Sequence, residues 1–170
     1  LSITILEKGA APELATPAYQ RVSALNPASM RLLSKLGVWA DIAAQAAAYR
    51  DMQVWEADSF GRIAFSAEPP QVPELGWICD NEAIRQHLYH QVQQHAAINC
   101  IFNADITSLA QTGRDVLVQL ADGQLILSQL LVGADGINSF VRKQQQLPLT
   151  HRDYQQQAIV AVIKCQQPHQ

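Results

Sequence analysis

The residues best suited to ligand chemistry lie in a glycine-rich corner at residues 130–142. Its sequence is Leu130-Leu-Val-Gly-Ala-Asp-Gly-Ile-Asn-Ser-Phe-Val-Arg142, an apolar strand pattern followed by two glycines, a carboxylate and a polar helix start. Glycine has no Cβ and adopts backbone angles that other residues avoid, so Gly133 and Gly136 let the backbone approach a bulky, phosphate-bearing ligand. Between them, Asp135 can accept hydrogen bonds from hydroxyl groups of such a ligand.

The pattern of this glycine corner allows two interpretations. Gly-x-x-Gly alone is more typical of an ordinary turn between a strand and a helix. The spacing of Ser139 and Arg142 after the glycines favours ligand binding, and Asn138 or Ser139 can cap the helix that follows. Ser139 has no Gly-x-Ser-x-Gly elbow around it, so the sequence does not predict a nucleophile there.

A second acidic candidate, Glu7, ends the apolar strand pattern of residues 2–7. In doubly wound folds, an acidic residue at the end of the second strand hydrogen-bonds a ribose, about 20 residues after a Gly-x-Gly-x-x-Gly turn. That turn would precede Leu1, so we expect the chain to be a fragment that lacks the first strand. An isolated strand-terminal acid is more often simply solvated, but together with the glycine corner Glu7 becomes a candidate ligand contact.

The composition argues against several classes of function. The chain has 170 residues, a formal net charge of -3 and three widely spaced cysteines. Without clustered Lys and Arg, nucleic acid is not an expected partner. The cysteines suggest neither a disulfide framework nor a Cys-x-x-Cys site, and they fit buried hydrophobes in a reducing compartment. His87, His90 and His95 fit a polar helix face better than a zinc site, which needs three or four convergent ligands, so no metal is predicted.

No apolar run approaches the roughly 20 residues of a membrane span, and no signal peptide is visible. We therefore expect a cytoplasmic location. Peripheral contact with the inner membrane stays open.

Periodicity and turn residues predict an alternation of strands and helices. The predicted helices run from Asn26-Pro27 to Gly37, from Asp80 to about His95, and onward from Ser139. The predicted strands are 2–7, 52–55, 62–65, 98–102, 115–120, 124–128, 130–132 and 159–163, with hairpin turns at 58–61 and at Asp122-Gly123. Residues 9–26 before the first helix show no clear periodicity.

This order predicts an α/β fold, a nucleotide-binding core with an inserted β-meander. An all-β domain is the alternative, and two well-capped helices count against it. The sequence becomes polar after Pro148 and then forms the strand pattern 159–163. We therefore predict a nucleotide-binding domain at 1–148 and the start of a second domain at 149–170, which the family resemblance described below would make a substrate-domain sheet.

Several motifs in order make the chain similar to a known family. They are Arg21-Val-Ser-Ala-Leu-Asn-Pro27, Leu36-Gly-Val-Trp39, Val54-Trp55, Asp80-Asn81 and Leu131-Val-Gly-Ala-Asp-Gly-Ile-Asn-Ser139. Together they resemble the flavin-dependent aromatic hydroxylases of ubiquinone biosynthesis, which share the fold of para-hydroxybenzoate hydroxylase, and in particular the bacterial octaprenylphenol hydroxylases. The resemblance implies a partial Rossmann-like FAD-binding domain. Two of the family's motifs do not occur in the sequence: the N-terminal Gly-x-Gly-x-x-Gly and the later Gly-Asp motif.

The resemblance also implies roles for individual residues. Glu7 would contact the adenosine ribose of FAD, and Arg21 would reach its pyrophosphate or ribityl chain; the alternative for Arg21 is a solvated loop arginine. For Asn81, where many relatives have arginine, a flavin contact competes with a helix-cap role. The other implied roles are an adenine contact by the backbone of Ala104 and Asp105, a shared FAD and NAD(P)H motif at Asp135 and Gly136, and bracing of that motif by Arg142, by pairing with Asp135.

The activity that the resemblance implies is hydroxylation of a prenylated phenol, with FAD as cofactor and NAD(P)H and O2 as co-substrates. No residue of this sequence is assigned as a catalytic acid or base, and the fragment alone is expected to be inactive. Partners that stay open are the inner membrane and a multi-enzyme ubiquinone complex. The alternatives are a related hydroxylase of a soluble aromatic compound and a non-catalytic scaffold subunit with the same fold.

Overall fold

A computed structural model describes residues 1–12, 21–161, 163 and 166. The chain forms two compact units. The first unit consists of Leu1–Ala11 and Ala97–Ala158, and the second consists of Pro12–Ala96 and Ile159–Gln170. Strands and helices alternate along the described residues, so the α/β class expected from the sequence is confirmed.

The described residues contain ten strands and four helices. In chain order they are β1 (Ile3–Leu6), β2 (Val22–Leu25), α1 (Pro27–Lys35), α2 (Trp39–Ala43), β3 (Ala47–Tyr49), β4 (Asp51–Trp55), β5 (Arg62–Ser66), β6 (Gly76–Asp80), α3 (Asn81–Gln93), β7 (Ile98–Ile101), β8 (Ile106–Gln111), β9 (Val116–Leu120), β10 (Leu125–Ser128) and α4 (Phe140–Gln144).

The first unit combines a parallel strand pair with an antiparallel meander. Strands β1 and β7 pair in parallel, with Ile3 opposite Ile98. Strands β8, β9 and β10 form a three-stranded antiparallel sheet in chain order, which is the inserted meander expected from the sequence. Ala104, Val118 and Leu120 form the buried centre of this unit.

Side chains from both parts of the first unit pack on that centre. Leu6, the last residue of β1, and Leu131, in the glycine corner, both contact it. The residues that follow them in sequence, Glu7 and Val132, therefore extend from one shared apolar cluster. This packing is how the sequence places the end of β1 and the entrance to the glycine corner in the same unit.

The second unit is built around a three-stranded antiparallel sheet in the order β2-β6-β3. Its core contains Leu33, Val38, Ile42 and Cys79, all buried. Trp39 and Trp77 pack against this core with their rings edge to face, 5.2 Å between centroids. Burial raises the pKa of the Cys79 thiol, so Cys79 behaves as the small buried hydrophobe expected from the sequence.

Helix α1 starts and ends where its sequence predicts. Asn26 is its N-cap and accepts a hydrogen bond from the backbone N–H of Ser29 at 2.9 Å, with Pro27 in the first turn. Gly37 follows the C-cap with a φ of 77°, the left-handed conformation that glycine accommodates at helix ends. The predicted helix is confirmed.

Strands β4 and β5 form a separate two-stranded hairpin in the second unit, as predicted at 52–55 and 62–65. Met52 faces Phe65 and Val54 faces Ile63, so one side of the hairpin is apolar, and all four side chains are exposed. Trp55 is also exposed, at 69%.

Strand prediction failed for four of the ten described strands. The sequence patterns missed β2, β3, β6 and β8 and the short helix α2. The strand predicted at 130–132 is wrong, because no described strand forms a ladder with these residues. Residues 159–161 and 163 of the last predicted strand also lie outside any strand, and Val162 lies outside the described residues, as do residues 13–20 of the segment without periodicity.

Within the described ranges, none of the helices has the length and apolar character that crossing a membrane requires.

Candidate cofactor site

The residues singled out by the sequence fall into three groups in the structure. The first group is Glu7, Ala104 and Asp105, and the second is Asp135, Gly136 and Arg142; both lie in the first unit. The third group is Arg21 and Asn81, in the second unit.

The first group forms where β1 ends beside the segment that follows β7. The backbone N–H of Glu7 donates to the carbonyl of Ile101 at 2.9 Å, and its carbonyl accepts from the N–H of Ala104 at 3.0 Å. These bonds extend the parallel β1–β7 pairing past both strand ends. The structure thus brings Glu7 and Ala104 together, although they are far apart in sequence.

The Glu7 carboxylate is held by the turn that follows it. Its Oε1 accepts a hydrogen bond from the N–H of Gly9 at 2.7 Å. Its Oε2 has no hydrogen-bond partner among the described residues, and the side chain is exposed. Because a carboxylate oxygen accepts hydrogen bonds and a ribose hydroxyl donates them, Oε2 fits a sugar contact.

An ion pair that sequence reasoning missed lies beside this carboxylate. Lys8 Nζ is 3.0 Å from Asp105 Oδ1, and the two side chains are 80% and 57% exposed. The Asp105 carbonyl also accepts from the N–H of Ala121, which fixes its backbone to the meander. A lysine next to a strand-terminal acid is too common a pattern to single out from sequence.

The second group is organised by the Asp135 carboxylate. Its Oδ1 accepts from the Ser139 hydroxyl at 2.5 Å, and its Oδ2 accepts from the N–H groups of Phe140 and Val141 at 2.6 and 3.2 Å. Three donors at the start of α4 therefore occupy this carboxylate. Ser139, which is buried, is the N-cap and accepts from the N–H of Arg142 at 3.0 Å, so the predicted Ser139 cap is confirmed.

These hydrogen bonds lower the pKa of Asp135. The largest cause is the Ser139 hydroxyl, and backbone N–H groups add to it against an opposing effect of desolvation. Asp135 is thus an anion at neutral pH that stabilises the first turn of a helix. The sequence identified the residue but not this local use of its side chain.

The expected pairing of Arg142 with Asp135 is wrong. The guanidinium Nη2 donates instead to the carbonyl of Ile137 at 2.5 Å, inside the same turn. The reason is local, because the Asp135 oxygens already accept from Ser139 and two backbone N–H groups. Arg142 still braces the glycine corner, but its side chain does so by bonding to the backbone of the corner.

The structure requires glycine at positions 133 and 136 for different reasons. Gly136 has a φ of 79°, a conformation that side chains rarely adopt. At Gly133, a Cβ would lie 2.9 Å from Cβ and 3.0 Å from Cγ1 of Val141. The absent side chain of Gly133 makes room for helix α4, and no ligand is needed to explain that glycine.

The third group lies where β2 begins beside the start of α3. The N–H of Asn81 donates to the carbonyl of Arg21 at 3.0 Å, across the antiparallel β2–β6 pair. Asp80, not Asn81, is the N-cap of α3, with its carboxylate accepting from the N–H of Glu82 at 2.8 Å. The helix-cap role considered for Asn81 is therefore wrong, and its side chain bonds to the hydroxyl of Ser23 instead.

Among the residues that the structure describes, no group of three or more His, Cys, Asp or Glu side chains is arranged to hold a metal ion. The polar groups of the three clusters are carboxylates, amides, a guanidinium and backbone N–H groups. Each group by itself offers hydrogen-bond donors or acceptors of the kinds that bind hydroxyl or phosphate groups.

Comparison with known proteins assigns the chain to a class of cofactor-binding domains. The FAD binding domain family matches residues 2–169, so the chain belongs to that family. A ubiquinone biosynthesis monooxygenase of Danio rerio is 34% identical over 160 residues, covering 87% of this chain and 32% of the relative. The 3-demethoxyubiquinol 3-hydroxylase of Escherichia coli is 28% identical, covering 86% of this chain and 37% of that protein. The chain thus spans about a third of the curated relatives it matches.

Solved structures show the same fold at low sequence identity. PqsL, a probable FAD-dependent monooxygenase from Pseudomonas aeruginosa, superposes with a TM-score of 0.71 at 20% identity, covering 89% of this chain and 40% of PqsL. The p-nitrophenol 4-monooxygenase PnpA from Pseudomonas putida gives a TM-score of 0.67 at 14% identity, covering 85% of this chain and 37% of PnpA.

Proposed function

We propose that this chain is part of an FAD-dependent monooxygenase that hydroxylates a prenylated phenol in ubiquinone biosynthesis, using NAD(P)H and O2. The observation that carries the proposal is the family match over residues 2–169 together with relatives named as ubiquinone hydroxylases over most of the chain. The structure contributes the geometry of the candidate cofactor contacts.

The first group, Glu7, Ala104 and Asp105, is proposed to hold the adenosine half of FAD. Glu7 offers its Oε2 to the ribose hydroxyls, because Oε1 is already bonded to Gly9. The backbone around Ala104 and Asp105 contacts adenine. The hydrogen bond from Ala104 to the Glu7 carbonyl supports this assignment, since it keeps the two contacts beside each other.

The glycine corner is proposed to shape the backbone that meets the cofactor. Since three donors occupy Asp135, its carboxylate acts mainly by holding the start of α4. The contact with the cofactor then comes from the backbone near Gly136. This residue has a positive φ and, as a glycine, no side chain in the way. Arg142 supports this turn through the carbonyl of Ile137.

In the second unit, Arg21 is proposed to bind the pyrophosphate or ribityl chain and Asn81 to contact the flavin. A guanidinium suits phosphate because it is planar, permanently charged and able to donate two parallel hydrogen bonds. When bound, FAD supplies the redox and oxygen-transfer chemistry, and this chain's residues bind and orient it. No described residue is assigned as a catalytic acid or base.

The remaining assignments are part of the same proposal. The substrate is a phenol with a prenyl tail, and the protein is cytoplasmic, with contact to the inner membrane or to a multi-enzyme ubiquinone complex. Residues 1–148 belong to the FAD-binding domain and residues 149–170 to the start of the substrate domain.

The test is to purify the full-length protein and measure bound flavin, NAD(P)H oxidation and product formation. We expect the absorbance of bound oxidised flavin, NAD(P)H oxidation stimulated by a prenylated phenol, and a product heavier by one oxygen atom. A short, unprenylated phenol is the matched control. Equal turnover of both phenols would favour a hydroxylase of soluble aromatics, and a folded protein that retains no flavin would contradict the proposal.

A further inference from the structure

A serine that the sequence analysis did not assign fixes the side chain of Asn81. The Ser23 hydroxyl donates to Asn81 Oδ1 at 2.6 Å, from the strand β2 to the first residue of α3. Ser23 is half-buried on β2, opposite the buried Cys79. The bond joins residues that are distant in sequence and only meet because β2 pairs with β6.

This bond determines which end of the amide is available. An asparagine side chain carries an acceptor oxygen and an NH2 group with two donors. With Oδ1 held by Ser23, the two donors of Nδ2 are left over, and no described residue accepts from them. Since Asp80 already caps α3, the Asn81 side chain is not needed to complete the helix.

We propose that Ser23 is a positioning residue that holds Asn81 as a hydrogen-bond donor toward an acceptor atom of the bound flavin. The inference rests on the proposed FAD-binding function and adds a polarity to it, because Asn81 then donates and does not accept. Acceptors of this class on a flavin are its ring carbonyl oxygens and unprotonated ring nitrogens. The backbone bond from Asn81 to the Arg21 carbonyl fixes the same residue from a second side.

A double-mutant cycle on the full-length protein tests this role. Ser23→Ala, Asn81→Ala and the double variant are stripped of flavin and titrated with FAD, and Kd and Tm are measured for each. We expect Asn81→Ala to weaken FAD binding about two- to tenfold, the range for losing one hydrogen bond. Ser23→Ala should weaken it about two- to fivefold, with no further loss in the Asn81→Ala background.

Two further variants separate positioning from general stability. Ser23→Thr keeps the hydroxyl and should retain most of the affinity. Ser108→Ala is the matched control, because Ser108 makes the same kind of serine-to-amide bond, to Gln119 Oε1 at 3.0 Å, in the meander of the first unit. We expect Ser108→Ala to leave the FAD Kd unchanged.

The outcomes distinguish the inference from the function on which it rests. If Asn81→Ala leaves FAD binding unchanged, the proposed flavin contact of Asn81 is wrong. If Asn81→Ala weakens binding but Ser23→Ala does not, the flavin contact stands and the positioning role is overturned. An effect of Ser23→Ala that persists in full in the Asn81→Ala background overturns it too, because Ser23 then acts by another route.

Discussion

The starts of α3 and α4 both use an aspartate to hold the first turn, but they differ in what they leave for a ligand. Each start has a nearby aspartate whose carboxylate accepts backbone N–H groups of the first turn: Asp80 at α3 and Asp135 at α4. At α4 the neighbouring Ser139 and Arg142 are also bonded inside the turn. At α3 the neighbouring Asn81 keeps two amide donors that no described residue accepts.

The comparison shows that the most conspicuous motif need not supply the ligand-binding side chains. The glycine corner at α4 uses its polar side chains to hold its own shape, so a cofactor meets mainly backbone there. The start of α3 has no glycine motif, yet it presents a side chain with its polarity fixed by Ser23.

The largest expected effect comes from closing the space between the glycine corner and α4. In Gly133→Ala the new Cβ would lie 2.9 Å from Cβ of Val141, so the helix must shift. We expect a loss of about 1–3 kcal/mol in the free energy of unfolding, as for other overpacked sites. Urea denaturation measures it.

Gly113→Ala is the control for this substitution, because nothing lies within 4 Å of its added Cβ. If Gly133→Ala unfolds at the same urea concentration as the unmodified protein, the corner does not pack as tightly as the structure indicates.

The next effect separates shape from ligand contact at Asp135. Asp135→Ala removes the acceptor for Ser139 and for two backbone N–H groups. We expect a loss of about 0.5–2 kcal/mol in stability, the range for a lost helix cap, and weaker FAD retention. Asp122→Ala, which removes the carboxylate that accepts from the N–H of Gln124 in the meander hairpin, is the control and should leave FAD retention unchanged.

Full FAD content together with unchanged NAD(P)H oxidation in Asp135→Ala would show that the corner does not take part in cofactor binding. The comparison between the two helix starts would then reduce to α3 alone.

The lowered pKa of Asp135 predicts how this stabilisation depends on pH. A carboxyl group whose pKa is lower in the folded state stabilises the fold fully above its unfolded pKa, about 3.9, and loses that contribution as pH falls through the folded value. The stability difference between the unmodified protein and Asp135→Asn should therefore be constant from pH 5 to 7 and shrink below about pH 4. Urea midpoints across this range measure it, and a difference that grows on acidification contradicts the assignment.

The sequence predicted those elements whose signals are local. The Asn26-Pro27 cap, the Asp122-Gly123 hairpin turn and the Ser139 cap each act within a few residues, and all three are observed. The strands β2 and β6 were missed because they depend on pairing with distant segments: β2 pairs with β6, and β6 also pairs with β3. Pairing between distant segments leaves little trace in either segment alone.

The candidate site shows the same difference between local signals, which the sequence reveals, and contacts between distant segments, which it does not. The sequence singled out Glu7, Asp135 and Asn81 as candidate site residues, but it did not predict the residues that bond to their side chains. The bond from Ser23 to Asn81 depends on the β2–β6 register, and the ion pair between Lys8 and Asp105 depends on β1 lying beside β7. The resemblance implied a pairing of Arg142 with Asp135, whereas hydrogen bonds in the turn direct Arg142 to a carbonyl.

The smallest expected effect concerns that ion pair at the end of β1. Because Lys8 and Asp105 are 80% and 57% exposed, solvent and salt screen their attraction, and Lys8→Ala should cost less than about 1 kcal/mol of stability. Lys8→Arg, which keeps the charge, is the matched control. The cost of Lys8→Ala should fall further between 50 mM and 500 mM NaCl, as measured by thermal unfolding. A larger cost that salt does not reduce would mean that Lys8 packs against the first unit through its carbon chain. The ion pair of Lys8 with Asp105 would then serve the fold, as the hydrogen bonds at the start of α4 do.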